Sequence, residues 1–191
     1  MKFKYLAVLL LLPLLQSCTL VAVGGAVATT AIVLDSRDIN SQIDDSGMRL
    51  KVTNALHNSN ALSEQRIRVI PYNGDILLIG QVANEAMKRE AEQLARSEGQ
   101  PLNLFNEISI GEPASIGDRS RDTWITTQVK TLLLRGGEHD MSGIKVVTEN
   151  REVYLLGLVS EAAAQEAINI ARNVRGVKRV VNVLSTEPGN P

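Results

Sequence analysis

Residues 73–82 read NGDILLIGQV, and residues 150–159 read NREVYLLGLV. Both begin with Asn, run through a dense apolar stretch, carry a glycine at the eighth position (Gly80, Gly157) and close on valine (Val82, Val159). The offset is 77 residues, and it holds upstream. Ile67-Arg68-Val69-Ile70 falls on Ile144-Lys145-Val146-Val147, while Asp45, Met48, Val52 and Leu56 fall on Asp122, Ile125, Val129 and Leu133. Downstream the offset becomes 76, so that Ala95-Arg96 matches Ala171-Arg172 and Phe105-Asn106-Glu107-Ile108 matches Val181-Asn182-Val183-Leu184. The chain is one unit written twice.

Each copy has the same coarse structure. Met48, Val52 and Leu56 recur every four residues, the spacing of one helix face; in the second copy Ile125, Val129, Leu132 and Leu133 are expected to form that stripe. Two short β-rich runs follow, joined by Pro71-Tyr72-Asn73-Gly74 in the first copy and Thr148-Glu149-Asn150-Arg151 in the second, a hairpin signal. A second helix, rich in Ala, Glu, Gln and Arg, is expected over 84–97 and 161–174, with Gly99 and Gly176 near its end, where a left-handed cap is often needed. A last strand closes each copy, giving α-β-β-α-β. Gly80 and Gly157 interrupt strands, and a strand glycine marks a bulge or a close backbone approach; both are read as structural, letting the strand end pass tightly against a helix. Residues 112–117 have the Pro/Gly/Ser content of a linker.

The N-terminus carries a location signal. Lys2 and Lys4 precede an apolar stretch from Tyr5 to Leu15, too short to span a bilayer comfortably, and Leu15-Gln16-Ser17-Cys18 has the bacterial lipobox pattern. Residues 1–17 are therefore expected to be a lipoprotein signal peptide, cleaved ahead of Cys18. Cys18 is the sole cysteine, so it has no intramolecular disulfide partner, and it is expected to carry acyl chains such as palmitate. Thr19, where an Asp would favour inner-membrane retention, points to the outer membrane. Residues 18–39 read as a lipidated flexible tether and 187–191 as a tail.

The repeated unit resembles the BON domain family. The resemblance is carried by the helix ahead of the strands, by the IxLxGxV-like run at 76–82, by VYLLGLV at 153–159 and by the close GVKRVVNVL at 176–184, and it covers nearly all of residues 40–186. It implies an α+β fold: two tandem BON domains, 40–111 and 118–186, each α-β-β-α-β with a three-stranded mixed sheet packed against two helices. Two such units behind a lipobox are similar to the dual-BON outer-membrane lipoproteins. That likeness implies a lipid-anchored, periplasm-facing protein without enzymatic activity or cofactor. It would bind phospholipid and support outer-membrane integrity, with the division site as one place of action. The first copy ends instead in GQPLNLFNEI, which lacks the GVxxVxN form and sets the two copies apart.

Catalytic and metal patterns are missing. His57 and His139 fall at different positions of the repeat, and there is no HExxH, GxSxG or phosphate-cradling glycine loop. Asp44-Asp45 is read as a helix-start cap rather than a catalytic pair. Residues 39–111 hold 7 bases against 9 acids, and residues 118–186 hold 10 against 8. The second copy is thus the one suited to an anionic surface. Nucleic acid is excluded as a partner by the exported location and the near-neutral chain, with net charge −1.

Trp124 is the sole tryptophan, and at an offset of 77 it aligns with Gly47. Two readings stand: a large core residue at the edge of the Ile125 stripe, or an interfacial anchor. With Asp122 as N-cap, Trp124 would lie in the first turn, where free N–H groups favour phosphate. The expected site for anionic phospholipid, phosphatidylglycerol or cardiolipin, comprises Arg119, Arg121, Asp122, Thr123, Trp124, Ile125, Thr127, Gln128, Lys130, Thr131 and Arg135. A protein of the outer-membrane assembly machinery is the alternative partner, with Trp124 as a hot spot.

Overall fold

The computed structural model describes residues 39–186, and the side chains of residues 44–186; the leader, Cys18, the tether up to residue 38 and the tail lie outside the described residues. The first repeat runs α1 (Ile39–Asn58), β1 (Ile67–Tyr72), β2 (Asp75–Val82), α2 (Glu85–Gly99) and β3 (Leu104–Ile110). The second runs α3 (Ile116–Arg135), β4 (Lys145–Glu149), β5 (Glu152–Val159), α4 (Glu161–Arg172) and β6 (Arg179–Thr186). Each repeat forms a three-stranded mixed sheet, the hairpin antiparallel and the closing strand parallel to its middle strand. α3 begins inside the stretch 112–117 that reads as a linker.

Both hairpins close through two-residue turns with both central residues left-handed: Asn73 and Gly74 at φ 52° and 86°, Asn150 and Arg151 at φ 49° and 67°. This turn matches the right-handed twist of its strands, and Asn-Gly suits it best. The second copy places Arg where glycine would be free of strain, and a buried carboxylate holds the turn down. Asp122, six residues into α3, accepts hydrogen bonds from the backbone N–H of Asn150 and Arg151, both at 2.8 Å. Asp45 does the same in α1, accepting from Asn73 and Gly74 at 3.0 Å. Asp45 and Asp122 are therefore helix-to-hairpin clasps, not helix caps. α1 starts at Ile39, well ahead of Asp44-Asp45.

The helices cover one face of each sheet. Val52, Leu56, Ile76, Leu78 and Ile108 meet in the first copy, and Ile125, Val129, Leu133, Val153 and Leu155 in the second. Leu132 is not part of that stripe: it is 43% exposed. Small residues let the second helix lie close, Ala91 and Ala95 in α2 and Ala163, Ala164, Ala167 and Ala171 in α4. α2 ends with Gln100, not Gly99, in the left-handed conformation; Gly99 is needed because a Cβ there would meet Ile76 and Val52 at 2.7 Å. Gly176 is left-handed at φ 94°, but in the loop beyond α4.

The repeat glycines are close-approach positions against a strand lead-in rather than a helix. A Cβ on Gly80, at φ 135°, would lie 2.2 Å from the carbonyl oxygen of Arg66. A Cβ on Gly157 would lie 3.1 Å from that of Gly143.

The other face of each sheet is also buried, and this decides the architecture. Ile70, Tyr72, Leu77 and Ile79 of the first sheet pack with Val147, Tyr154, Leu156 and Val183 of the second. The two sheets lie face to face, with helices outside, in one compact unit. Burial on both faces explains why ILLIG and VYLLG are unbroken apolar runs. The interface is nearly two-fold: Arg68 Nη1 donates to the Thr148 carbonyl at 3.4 Å, and Lys145 Nζ, its repeat counterpart, donates to the Pro71 carbonyl at 3.3 Å. No described helix is long and apolar enough to cross a membrane.

Candidate functional site

The face of interest belongs to α3, whose N-cap lies about two turns ahead of Asp122, the cap that the aspartate pattern suggests. Ser115 is the N-cap: its hydroxyl accepts from the Asp118 backbone N–H, and the Asp118 carboxylate accepts from the Ser115 N–H, a reciprocal capping box. The hydrogen bond from the Ser115 hydroxyl, more than any other contact, holds the Asp118 carboxyl below the usual carboxylate range. Asp118 also pairs with Arg121 at 2.9 Å. Trp124 accordingly lies eight residues into the helix, and its own N–H is part of the helical ladder, so no free helix N-terminus stands beneath it.

Trp124 faces outward. It is 48% exposed, which overturns the core reading. Its counterpart Gly47 is also at the surface, with open space where a Cβ would be. Along the helix, Trp124, Gln128, Thr131 and Arg135 share one side at i, i+4, i+7 and i+11. Ile116 and Leu134, 74% and 63% exposed, add apolar surface at the two ends of the helix. Asp122 and Ile125 are the two expected site residues that are buried. Asp122 is 5% exposed and committed to the hairpin clasp, and Ile125 is fully buried in the core.

Arg119, Thr123, Thr127 and Lys130 turn to the next side of the helix, over a cleft of about 550 Å³. Its opposite wall comes from the first repeat: Arg66 and Arg68 at the start of β1, which the sequence reading did not include. β4 supplies the floor with Thr148 and Glu149. The Glu149 carboxylate, 5% exposed as a residue, is engaged by Arg68 Nη1 at 3.2 Å and Gln81 Nε2 at 3.2 Å. Arg66 Nη1 lies 3.6 Å from the same carboxylate, beyond hydrogen-bond reach, and is a buried atom without a hydrogen-bond partner. Thr126 Oγ1 and Thr148 Oγ1 are 2.8 Å apart across the helix–strand seam. No local sequence signal could have joined Arg66 to Lys130, because the contact depends on how the two sheets face each other.

His139 lies outside this region, with Nδ1 2.8 Å from Glu166 Oε2. Among the described residues no group of three His, Cys, Asp or Glu side chains is placed to hold a metal ion.

The chain matches the BON domain family model twice, over residues 44–111 and 121–188. It is 37% identical over 170 residues to the outer membrane lipoprotein DolP of Haemophilus influenzae, covering 88% of each chain. It is 40% identical over 153 residues to a 21 kDa hemolysin of Actinobacillus pleuropneumoniae, covering 80% of this chain and 79% of that one. It is 28% identical over 152 residues to osmotically-inducible protein Y of Escherichia coli K12, covering 78% and 76%.

Proposed function

The chain belongs to the BON domain family, and from that premise we propose that it is an outer-membrane lipoprotein, facing the periplasm, that binds anionic phospholipid through the exposed side of α3. The family and the named relatives give no indication of catalysis, and the protein acts by binding. Cys18 provides the anchor, and α3 makes the reversible contact with the bilayer surface.

The observation that carries the reading is Trp124. A tryptophan with 48% of its surface exposed, at a position where the sister repeat has glycine, is not required by packing. Tryptophan favours the headgroup layer of a bilayer, and cations near an anionic surface each contribute about 1 kcal/mol. Arg121 and Arg135 flank Trp124 on its own side of the helix, and Arg119 and Lys130 follow on the next. Ile116 and Leu134 extend the apolar contact. Phosphatidylglycerol and cardiolipin are the lipids whose charge suits this face. Binding of this kind would support outer-membrane integrity, including at the division site.

The test uses residues 19–191, which retain the whole compact unit and lack the acyl anchor; the second repeat alone would expose Tyr154, Leu156 and Val183. Sedimentation with vesicles containing phosphatidylglycerol should show salt-sensitive binding, and Trp124→Ala should weaken it roughly tenfold, equivalent to about 1.4 kcal/mol. Unchanged binding removes the lipid reading. Trp124 also suits a hot spot for an assembly partner; a stoichiometric complex lost on Trp124→Ala, without vesicle binding, would favour that reading.

A further inference from the structure

Neither sheet closes on itself. Each has two edge strands, β1 and β3 in the first repeat and β4 and β6 in the second. An unpaired edge presents a row of outward N–H and C=O groups, a template for a strand of another chain. Side chains of this molecule occupy a group on each of its four edges.

At β1 and β4 the side chains are cations. Tyr72 pairs with Asp75, and Glu149 with Glu152, at the ends of the two-residue turns. Such a closing pair exchanges hydrogen bonds across the hairpin, so the neighbouring carbonyls of Pro71 and Thr148 point out of the sheet. Each accepts from the other repeat: Pro71 from Lys145 Nζ at 3.3 Å and Thr148 from Arg68 Nη1 at 3.4 Å. These two strands are also short, six and five residues, and Pro71 has no N–H to offer a partner.

β3 and β6 are longer, seven and eight residues. The Gly111 N–H donates to the Val82 carbonyl, so alternation along β3 turns the Ile108 N–H outward. Leu184 has the same place in β6: Ile108 stands opposite Gly80, and Leu184 opposite Gly157. Here the side chain is asparagine. Asn106 Oδ1 accepts from the Ile108 N–H at 3.3 Å, and Asn182 Oδ1 from the Leu184 N–H at 2.9 Å. Asn106 and Asn182 are repeat counterparts at the offset of 76, as Arg68 and Lys145 are at 77.

The two asparagines are not equally fixed. Asn106 Nδ2 also donates to the Lys88 carbonyl at 3.3 Å and to Glu92 Oε2 at 3.1 Å, both on α2, which pins its amide. Asn182 is exposed and makes no corresponding bond to α4 among the described residues. Val180 and Leu184 flank it on the same face of the strand, both half-buried. With β6 strands of two copies antiparallel about Asn182, Val180 of each copy would stand opposite Leu184 of the other, an apolar cross-strand pair that favours a ladder.

We propose that Arg68, Lys145, Asn106 and Asn182 close the sheet edges against strand addition, and that Asn182 keeps β6 from pairing with β6 of a second copy. The cap works by position. Its oxygen fills the donor that a ladder would use, and its side chain stands in the path of an incoming backbone.

Hydrogen exchange and sedimentation velocity on residues 19–191 test this. In the parent protein the Leu184 amide should exchange slowly although it lies on an open edge. Asn182→Ala should speed that exchange about tenfold, and Asn182→Asp, which keeps an acceptor oxygen in the same place, should leave it slow. Asn182 is exposed, so both changes leave the core intact. Asn182→Ala should also sediment at a larger apparent mass than the parent, rising with concentration. A sample mixing labelled and unlabelled chains should then show intermolecular contacts between Val180 and Leu184. Equal exchange at Leu184 in the parent and in Asn182→Ala, or fast exchange in Asn182→Asp as well, overturns the cap. Parent-like sedimentation of Asn182→Ala from micromolar to millimolar concentration, or association that maps outside residues 180–184, overturns the block on a second copy.

Discussion

The two repeats have the same framework and different surfaces. Their hairpins share one register, Arg68 opposite Ile79 in the first and Lys145 opposite Leu156 in the second, and both are clasped by a carboxylate from the first helix. Their inward faces meet in a shared core. Outside that core they diverge. The first helix of one copy has Gly47 where the other has Trp124, and across the sheet–sheet seam Tyr72 corresponds to Glu149 and Gly143 to Arg66. Tyr72 OH donates to the Gly143 carbonyl at 3.3 Å, while at the related site Glu149 faces Arg66 at 3.6 Å. One side of the quasi-two-fold interface is thus closed by a neutral hydrogen bond, and the other carries charge and opens into the cleft. Duplication supplied the fold, and the differences between copies mark where function was added.

The largest expected difference between the copies lies in the repeated glycine. Gly80→Ala places a methyl 2.2 Å from a backbone oxygen at φ 135°, and should cost about 3–5 kcal/mol in chemical denaturation. Gly157→Ala meets its nearest atom at 3.1 Å without a positive φ, and should cost about 1 kcal/mol. Equal losses would mean that the two strands approach their lead-ins alike in solution.

The carboxylate clasps should behave as equals. Asp45→Ala and Asp122→Ala each strip two backbone N–H groups of a charged acceptor, and each should cost about 2–3 kcal/mol by the same measurement. The second loss should be slightly greater, because Arg151 holds φ 67° without the freedom of glycine. If Asp122→Ala is the milder change, the Arg151 Nε bond to the Gly176 carbonyl, at 2.8 Å, holds that turn by itself.

Much of this framework is legible in the sequence because repetition doubles the signal. The offset of Gly80 to Gly157 carries strands, turns and helix stripes with it, and the structure adds their ends and removes Leu132 from the stripe. The role of Asp45 and Asp122 is not legible in that way: an aspartate near a helix start looks like a cap, whereas the clasp depends on a hairpin 28 residues downstream. The true cap, Ser115 with Asp118 three residues on, is present as a pattern but lies in a stretch whose Pro and Gly content reads as linker. Sheet-to-sheet packing has a partial signal in the unbroken ILLIG and VYLLG runs, since strands buried on both faces lose their polar alternation. Of the expected α3 site, the outward placement of Trp124 follows from its alignment with Gly47, while Asp122 and Ile125 sit on the helix side that the core claims. The Arg66 wall of the cleft depends on the orientation of one repeat against the other, and no local pattern encodes that.

The smallest effect concerns Gly47 itself. It sits inside α1, at the surface, with no atom within 4 Å of an added Cβ. A glycine in an exposed helix interior destabilises by about 0.8–1.0 kcal/mol relative to alanine, so Gly47→Ala should stabilise the protein by that amount. For a chain of this size the melting temperature should rise by about 2–4 °C. A rise shows that the scaffold accepts a side chain at this position in the first copy as readily as it accepts Trp124 in the second. The contrast between glycine and tryptophan is then free of packing constraint, and whatever Trp124 contacts outside the protein has to account for it. A fall in melting temperature would mean that Gly47 is required by a neighbour, and the asymmetry would lose its value as a marker of the docking face.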